Sequence, residues 1–103
     1  MAGRRLRFHP DADQDLDAGL RFYLRHSPIA ASRFLDDLTA ALEIIREAPA
    51  RWPLYRLNTR RYVMAAYPYS LIYRATEVEI QVYAVAHAKR RPLYWRKRRL
   101  ASR

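Results

Sequence analysis

Residues 60–86 read RRYVMAAYPYSLIYRATEVEIQVYAVA, and the fold turns on how that stretch is parsed. Tyrosines and β-branched residues recur through it, side chains that suit a pleated, half-buried surface. Pro68 breaks the run once and Thr76-Glu77 breaks it again, which gives strands over Arg60 to Ala66, Tyr69 to Ala75 and Val78 to Ala86. Both interruptions are short, so consecutive strands are expected to pair antiparallel. Side chains alternate along a strand, so Val78, Ile80, Val82, Ala84 and Ala86 share one face of the last one. Glu79, Gln81, Tyr83, Val85 and His87 share the other. The apolar set is expected to pack inward and the second set to face outward.

A one-sided sheet needs a cover, and the upstream sequence supplies two amphipathic helices. Arg4 to His9 alternates Arg with Leu6 and Phe8, a short strand that Pro10 ends. Asp11 with Gln14 three residues on fits a capping box, and Asp11, Asp13, Asp15 and Asp17 suit the positive end of a helix dipole. That cluster is read as capping, not as a metal site. Leu16, Leu20, Tyr23 and Leu24 carry the helical period to about His26, which complements the dipole at the other end. Ser27-Pro28 is a cap followed by proline at the first helical position, so a second helix begins at once. Its apolar stripe is Phe34, Leu38, Ala41, Leu42 and Ile45, and Pro49 ends it. A loop from Ala50 to Thr59 leads to the strands, with Trp52 expected to lie as a packed lid on the helical hairpin. The fold class is therefore α+β, ordered β-α-α-β-β-β. The helical hairpin covers one face of a small, mainly antiparallel sheet and the other face stays open.

Downstream, Lys89, Arg90, Arg91, Arg96, Lys97, Arg98, Arg99 and Arg103 follow one another with no acidic residue between them, interrupted by Pro92, Tyr94 and Trp95. This segment is expected to form a short basic helical turn or a mobile tail. It ends a chain of strongly uneven charge. Residues 1–50 hold seven Lys/Arg against eight Asp/Glu, whereas residues 51–103 hold thirteen against two. Such a field favours phosphate backbones, acidic protein surfaces or anionic lipid. The plainer alternative is a basic surface with no specific ligand.

The 103 residues suffice for one domain with a modest core, 1–103, carrying a basic tail from about 89 to 103. Without cysteine the chain has no disulfide or thiolate chemistry. His9, His26 and His87 are too scattered for a metal motif, so neither metal nor cofactor is expected. The N-terminus lacks the apolar segment of a signal peptide and no apolar run is long enough to span a membrane, so a cytoplasmic location is expected.

No phosphate-binding loop, nucleophile elbow or zinc-protease motif is present. What remains is a constellation of Arg60, Arg61, Arg74, His87, Lys89, Arg90, Arg91, Tyr94 and Trp95. Guanidinium groups hold phosphate bidentately and can stabilise a phosphoryl-transfer transition state. His87 can serve as general acid or base near neutral pH, Tyr94 only with a lowered pKa, and aromatic rings can stack on unpaired bases. Each has a bland counterpart. His87 at a strand end can be a satisfied structural histidine, and Tyr94 and Trp95 can close the end of the core.

The order of these elements, taken with the residues, resembles the RelE/ParE superfamily of toxins from bacterial type II toxin–antitoxin systems. The likeness runs through FHPDADQDL (8–16), RFY (21–23), EAPARWP (47–53) and RRYVMAAYPYSLIYR (60–74). It is strongest at VYAVAHAKRRPLYWRKR (82–98), which is similar to the ParE-type, plasmid-stabilisation branch. The resemblance implies a cytoplasmic toxin held inactive, as a hetero-oligomer, by a cognate antitoxin whose C-terminal segment wraps the helices and sheet. RelE-like members are mRNA interferases that cleave message on the ribosome, and Arg60 or Arg61, Arg74, His87 and Tyr94 could match their catalytic positions. ParE-like members poison DNA gyrase and are not nucleases. For them Arg60, Arg61, Lys89, Arg90, Arg91 and Trp95 would be target-binding residues. The ending AHAKRRPLYW (86–95) favours the ParE-like branch. A third reading, a non-toxic nucleic-acid-binding module, has the charge but no helix-turn-helix or RNA-recognition signature.

Overall fold

The computed structural model describes residues 3–100. β1 (Arg5–Phe8) leads into helix α1 (Pro10–His26) and helix α2 (Pro28–Glu47), followed by β2 (Leu54–Tyr55), β3 (Thr59–Val63), β4 (Tyr69–Ala75) and β5 (Glu79–His87). The sheet is ordered β1-β5-β4-β3-β2. β1 runs parallel to β5 with Leu6 opposite Ile80, and the other neighbours are antiparallel. The expected β-α-α-β-β-β order is found, with one addition. The loop after α2 contributes β2, two residues paired with Arg60 and Thr59 through a turn at Arg56–Asn58. Two residues carry too little periodic signal to be read as a strand.

The helices begin and end close to where local chemistry places them. Ser27 closes α1 and caps α2, its Oγ accepting the Ala30 N–H at 3.2 Å, with Pro28 at the first position. His26 Nδ1 lies 2.8 Å from the Phe22 carbonyl in the last turn of α1. At the other end of α1 the cap differs from expectation. Pro10 is already helical, and the His9 ring rather than the Asp11 carboxylate accepts the first free donor, the Asp11 N–H, at 3.0 Å. Proline's fixed φ favours the first helical position, which moves the cap one residue earlier.

Phe34, Leu38, Ala41 and Ile45 of α2 and Ala12 of α1 meet Leu71, Tyr73, Ile80, Val82 and Val85 of the sheet in one core. Tyrosines tie its layers together. Tyr67 donates to the Ala30 carbonyl at 2.9 Å and Tyr73 to the Pro49 carbonyl at 2.6 Å. Burial pushes the Tyr73 phenol up to about 12, so it stays a donor. Trp52 packs at the rim edge-to-face with Tyr62, 4.7 Å between centroids, in keeping with the lid expected of it.

β5 departs from simple alternation. Ile72 pairs with Ala84, but Tyr73 pairs with Val82, so Tyr83 is an extra residue on β5, a β-bulge. The bulge reverses the faces beyond it. Ile80 and Val82 point to the helices as expected, but Val85 joins them there. Ala84 turns to the opposite face to pack with Ile72 and Trp95, and Ala86 packs against that cluster. Val78 lies before the strand and is exposed. The face expected to be open is therefore partly covered, and the C-terminal segment covers it.

Candidate functional site

Of the basic ending, residues 88–100 lie within the described residues, and they form a run of turns packed on the sheet, not a mobile tail. Successive turn bonds, Arg90 N–H to His87, Tyr94 N–H to Arg91, Arg96 N–H to Leu93 and Arg98 N–H to Trp95, coil them into a strap. Leu93 sits at φ 61°, a left-handed kink that turns the chain back over the sheet. Trp95 is 4% exposed, its indole packed with Ile72 and Ala84.

Asp15 fastens the strap. β1 pairs only with residues 79–82, so beyond the bulge the edge of β5 has no strand beside it. Asp15 reaches from α1 to that edge and its Oδ2 accepts the Val85 N–H at 3.1 Å. The same carboxylate accepts from the Tyr94 hydroxyl at 2.9 Å and from both terminal nitrogens of Arg98, at 2.7 and 3.2 Å. Arg98 also donates to the Tyr83 carbonyl at 2.9 Å, occupying the edge acceptor that the bulge leaves unpaired. The Asp15 and Arg98 side chains are 7% and 11% exposed. Burial works against the Arg98 charge, but the hydrogen bonds and charge of Asp15 outweigh it, and the guanidinium pKa ends above its ordinary value. Burial first, then the charge and hydrogen bond of Asp15, push the Tyr94 phenol well above its usual range. Asp15, grouped by sequence with a capping cluster, thus joins α1, β5 and the strap.

On the outward face of the first half of β5 a polar ladder replaces apolar contact. Arg7 Nη1 donates to Glu79 at 3.1 Å, Gln81 Nε2 to Glu79 at 2.6 Å, and the Tyr83 hydroxyl to Gln81 at 3.2 Å. The Gln81 hydrogen bond chiefly, helped by the hydrogen bond and charge of Arg7, holds the Glu79 carboxyl below the usual carboxylate range against the opposing effect of burial. Arg74 completes the ladder through Tyr83, with its guanidinium 5.0 Å from that ring's centroid. Its other nitrogens donate to the carbonyls of Leu57 and Asn58, at 2.6 and 3.3 Å. Leu57 and Asn58 both have φ 59°, a conformation costly for a leucine, and Arg74 staples that turn to the sheet.

The residues singled out by sequence fall into two groups. Arg61, His87, Arg90, Arg91, Tyr94 and Trp95 surround one cleft between the sheet and the strap. Arg60 and Arg74 line another, with Arg4 and Glu77. There Arg60 donates to the Trp52 carbonyl at 2.6 Å, so it too is held by backbone. Lys89 is exposed and its N–H donates to His87 Nδ1 at 3.0 Å. That bond leaves Nε2 as the protonated nitrogen of the neutral ring, which stands edge-on to Tyr69 at 5.0 Å between centroids. Arg90 lies 3.8 Å from the Tyr94 ring centroid and Arg98 4.9 Å from it. Arg61 is steadied by Ser70 Oγ at 3.3 Å and by the Tyr55 ring. The first group can bind an anion, while Tyr94, tied to Asp15 and pushed up, is a poor proton donor or acceptor at neutral pH.

Sequence reasoning did not single out Asp15, Arg98, His9 or Ser70. An unpaired buried arginine is rare, so one residue in the basic run had to find a carboxylate if Trp95 was to be buried; nothing local says which. Among the described residues no helix is long and apolar enough to cross a membrane, and no group of three His, Asp or Glu could hold a metal ion.

Comparison with known proteins agrees with this architecture. A solved structure described as the chromosomal ParDE TA system from P. aeruginosa superposes with a TM-score of 0.72 at 20% identity, covering 84% of this chain and 97% of that one. At that identity the likeness is one of fold. Curated proteins give no match. The family model for the ParE toxin of type II toxin–antitoxin system, parDE, matches residues 6–92, from β1 to the first residues of the strap. The chain belongs to the ParE toxin family.

Proposed function

We propose that this chain is the toxin of a toxin–antitoxin pair, neutralised by a cognate antitoxin in the cytoplasm, and that it acts on DNA gyrase rather than by cleaving mRNA. The observation that carries the choice of target is the engagement of the candidate nuclease residues. Metal-free cleavage through a 2′-hydroxyl needs a base, an acid and a phosphate-stabilising cation around one reacting phosphate. Arg74 lines a different cleft from His87 and Tyr94, and its guanidinium is spent on the Leu57–Asn58 turn. Tyr94 is committed to Asp15. Binding residues, by contrast, are plentiful: Arg61, Lys89, Arg90 and Arg91 make no ion pair among the described residues. The basic second half of the chain also suits an acidic antitoxin segment.

The test compares two activities of the purified, antitoxin-free protein. Supercoiling by gyrase, with trapping of cleaved DNA, should be inhibited; mRNA on programmed ribosomes should remain intact. Ribosome-dependent cleavage abolished by His87→Ala would overturn the proposal and make this an endoribonuclease.

A further inference from the structure

The cleft between the sheet and the strap differs from its neighbours in charge. It holds about 230 Å³, several water volumes at about 30 Å³ each. Arg61, Arg90, Arg91 and His87 line it, and no carboxylate does. The cleft beside α1 carries Asp11 and Asp15 among its cations, and the one around Arg74 carries Glu77. None of the three arginines forms an ion pair among the described residues. Three guanidinium-bearing residues lining one cleft repel, and an anion bound there relieves that repulsion.

Two of the three are already held in place. Arg61 is fixed by Ser70 and Tyr55, and Arg90 lies on Tyr94. Pre-ordered side chains lose less entropy on binding. The floor, Ile72, Ala86 and Trp95, is apolar and strengthens any charge interaction above it. His87 has Nδ1 occupied by the Lys89 N–H and so offers Nε2 as a fourth group beside the three guanidinium forks. Planar guanidiniums match the oxygens of phosphate.

We propose that this cleft is a phosphate-binding site, taking the phosphate of a nucleotide or of a nucleic-acid backbone. Its strap wall, Leu93 to Trp95, lies beyond the residues matched by the family model, while Arg61, His87, Arg90 and Arg91 lie within them. It stands independently of which target the protein acts on.

The experiment is an NMR titration of the full chain, following the guanidinium N–H signals of Arg61, Arg90 and Arg91 with inorganic phosphate, a deoxynucleoside 5′-monophosphate and a short single-stranded DNA. Saturable shifts at those groups are expected with inorganic phosphate alone. A tighter, more salt-dependent response to the oligonucleotide identifies the backbone as the source, and a tighter response to the monophosphate identifies a mononucleotide. Among the described residues the Arg91 side chain makes no hydrogen bond, ion pair or ring contact, so Arg91→Ala should leave the fold intact and weaken phosphate binding about tenfold. Lys97→Ala, an exposed charge on the strap outside the cleft, should weaken it no more than about twofold. Equal losses in the two variants, or phosphate shifts absent from all three arginines, would overturn the proposal.

Discussion

Replacing Asp15 by alanine should be among the most damaging single changes in this chain, although the residue sits in a run of surface aspartates. The substitution leaves Arg98, 11% exposed, with only the longer contact to Asp11 at 3.9 Å. It also removes the acceptor of the Val85 N–H and of the Tyr94 hydroxyl. Breaking a buried ion pair from one side costs about 3–5 kcal/mol, and each orphaned donor adds about 1–3 kcal/mol unless water reaches it. The strap has an escape, since it can swing out and hydrate Arg98. That route exposes Trp95, whose burial of about 150–250 Å² is worth about 4–6 kcal/mol at about 25 cal/mol per Å². The cheaper route sets the net loss, which should be about 3–6 kcal/mol. For a domain of this size it lowers the melting temperature by about 12 °C or more. Urea denaturation followed by tryptophan fluorescence measures the loss, and hydrogen exchange at the Val85 amide shows whether the edge has opened. Asp15→Asn keeps the shape and an acceptor and should lose less. In a double-mutant cycle with Arg98→Ala the two losses should be strongly non-additive. A loss below about 0.5 kcal/mol for Asp15→Ala, the range of ordinary surface substitutions, would refute the view that this carboxylate anchors the strap.

Gly19→Ala tests the packing of α1 on β4. A β-carbon there would lie 2.9 Å from the Tyr69 hydroxyl and 3.2 Å from Phe34 Cζ, ends of rigid, buried rings. Helix propensity favours alanine by about 1 kcal/mol, but overpacking costs about 1–3 kcal/mol, so chemical denaturation should show a net loss; a gain would mean the rings yield freely. Leu38→Asp places a charge in the core between α2 and the sheet and should abolish cooperative unfolding, whereas a native-like melting curve would contradict the packing described. Stability should fall at high pH. The Tyr73 and Tyr94 phenols are raised in the fold, so their contribution is complete below about pH 10; that of Tyr73 is lost as pH climbs through about 12 and that of Tyr94 at still higher pH. Ultraviolet titration should show them ionising only with unfolding, and all eight tyrosines titrating as free phenols in folded protein would count against this. At the acid end Glu79, held low by Gln81 and Arg7, contributes stability above the unfolded carboxylate range that disappears as pH falls, and Glu79→Gln should flatten that slope.

The sequence alone determined what depends on neighbours a few residues apart. Ser27-Pro28 ends one helix and starts the next because a hydroxyl cap and a fixed φ act within one turn. The α2 stripe and the three long strands follow from periodicity, and the face of β5 is legible as far as Val82. It fails at Tyr83, because a bulge depends on how two strands are matched, and β5 alone shows unbroken alternation through it. The basic ending likewise shows its charge but not its fate. Which of its cations are committed depends on a carboxylate some eighty residues away, with Asp15 meeting Arg98 at a sequence separation of 83. That contact consumes Arg98 and Tyr94, while Arg61, Arg90 and Arg91 are left facing one cleft. Local rules placed the elements, and long-range pairing of buried polar groups decided which charges remain available for a partner.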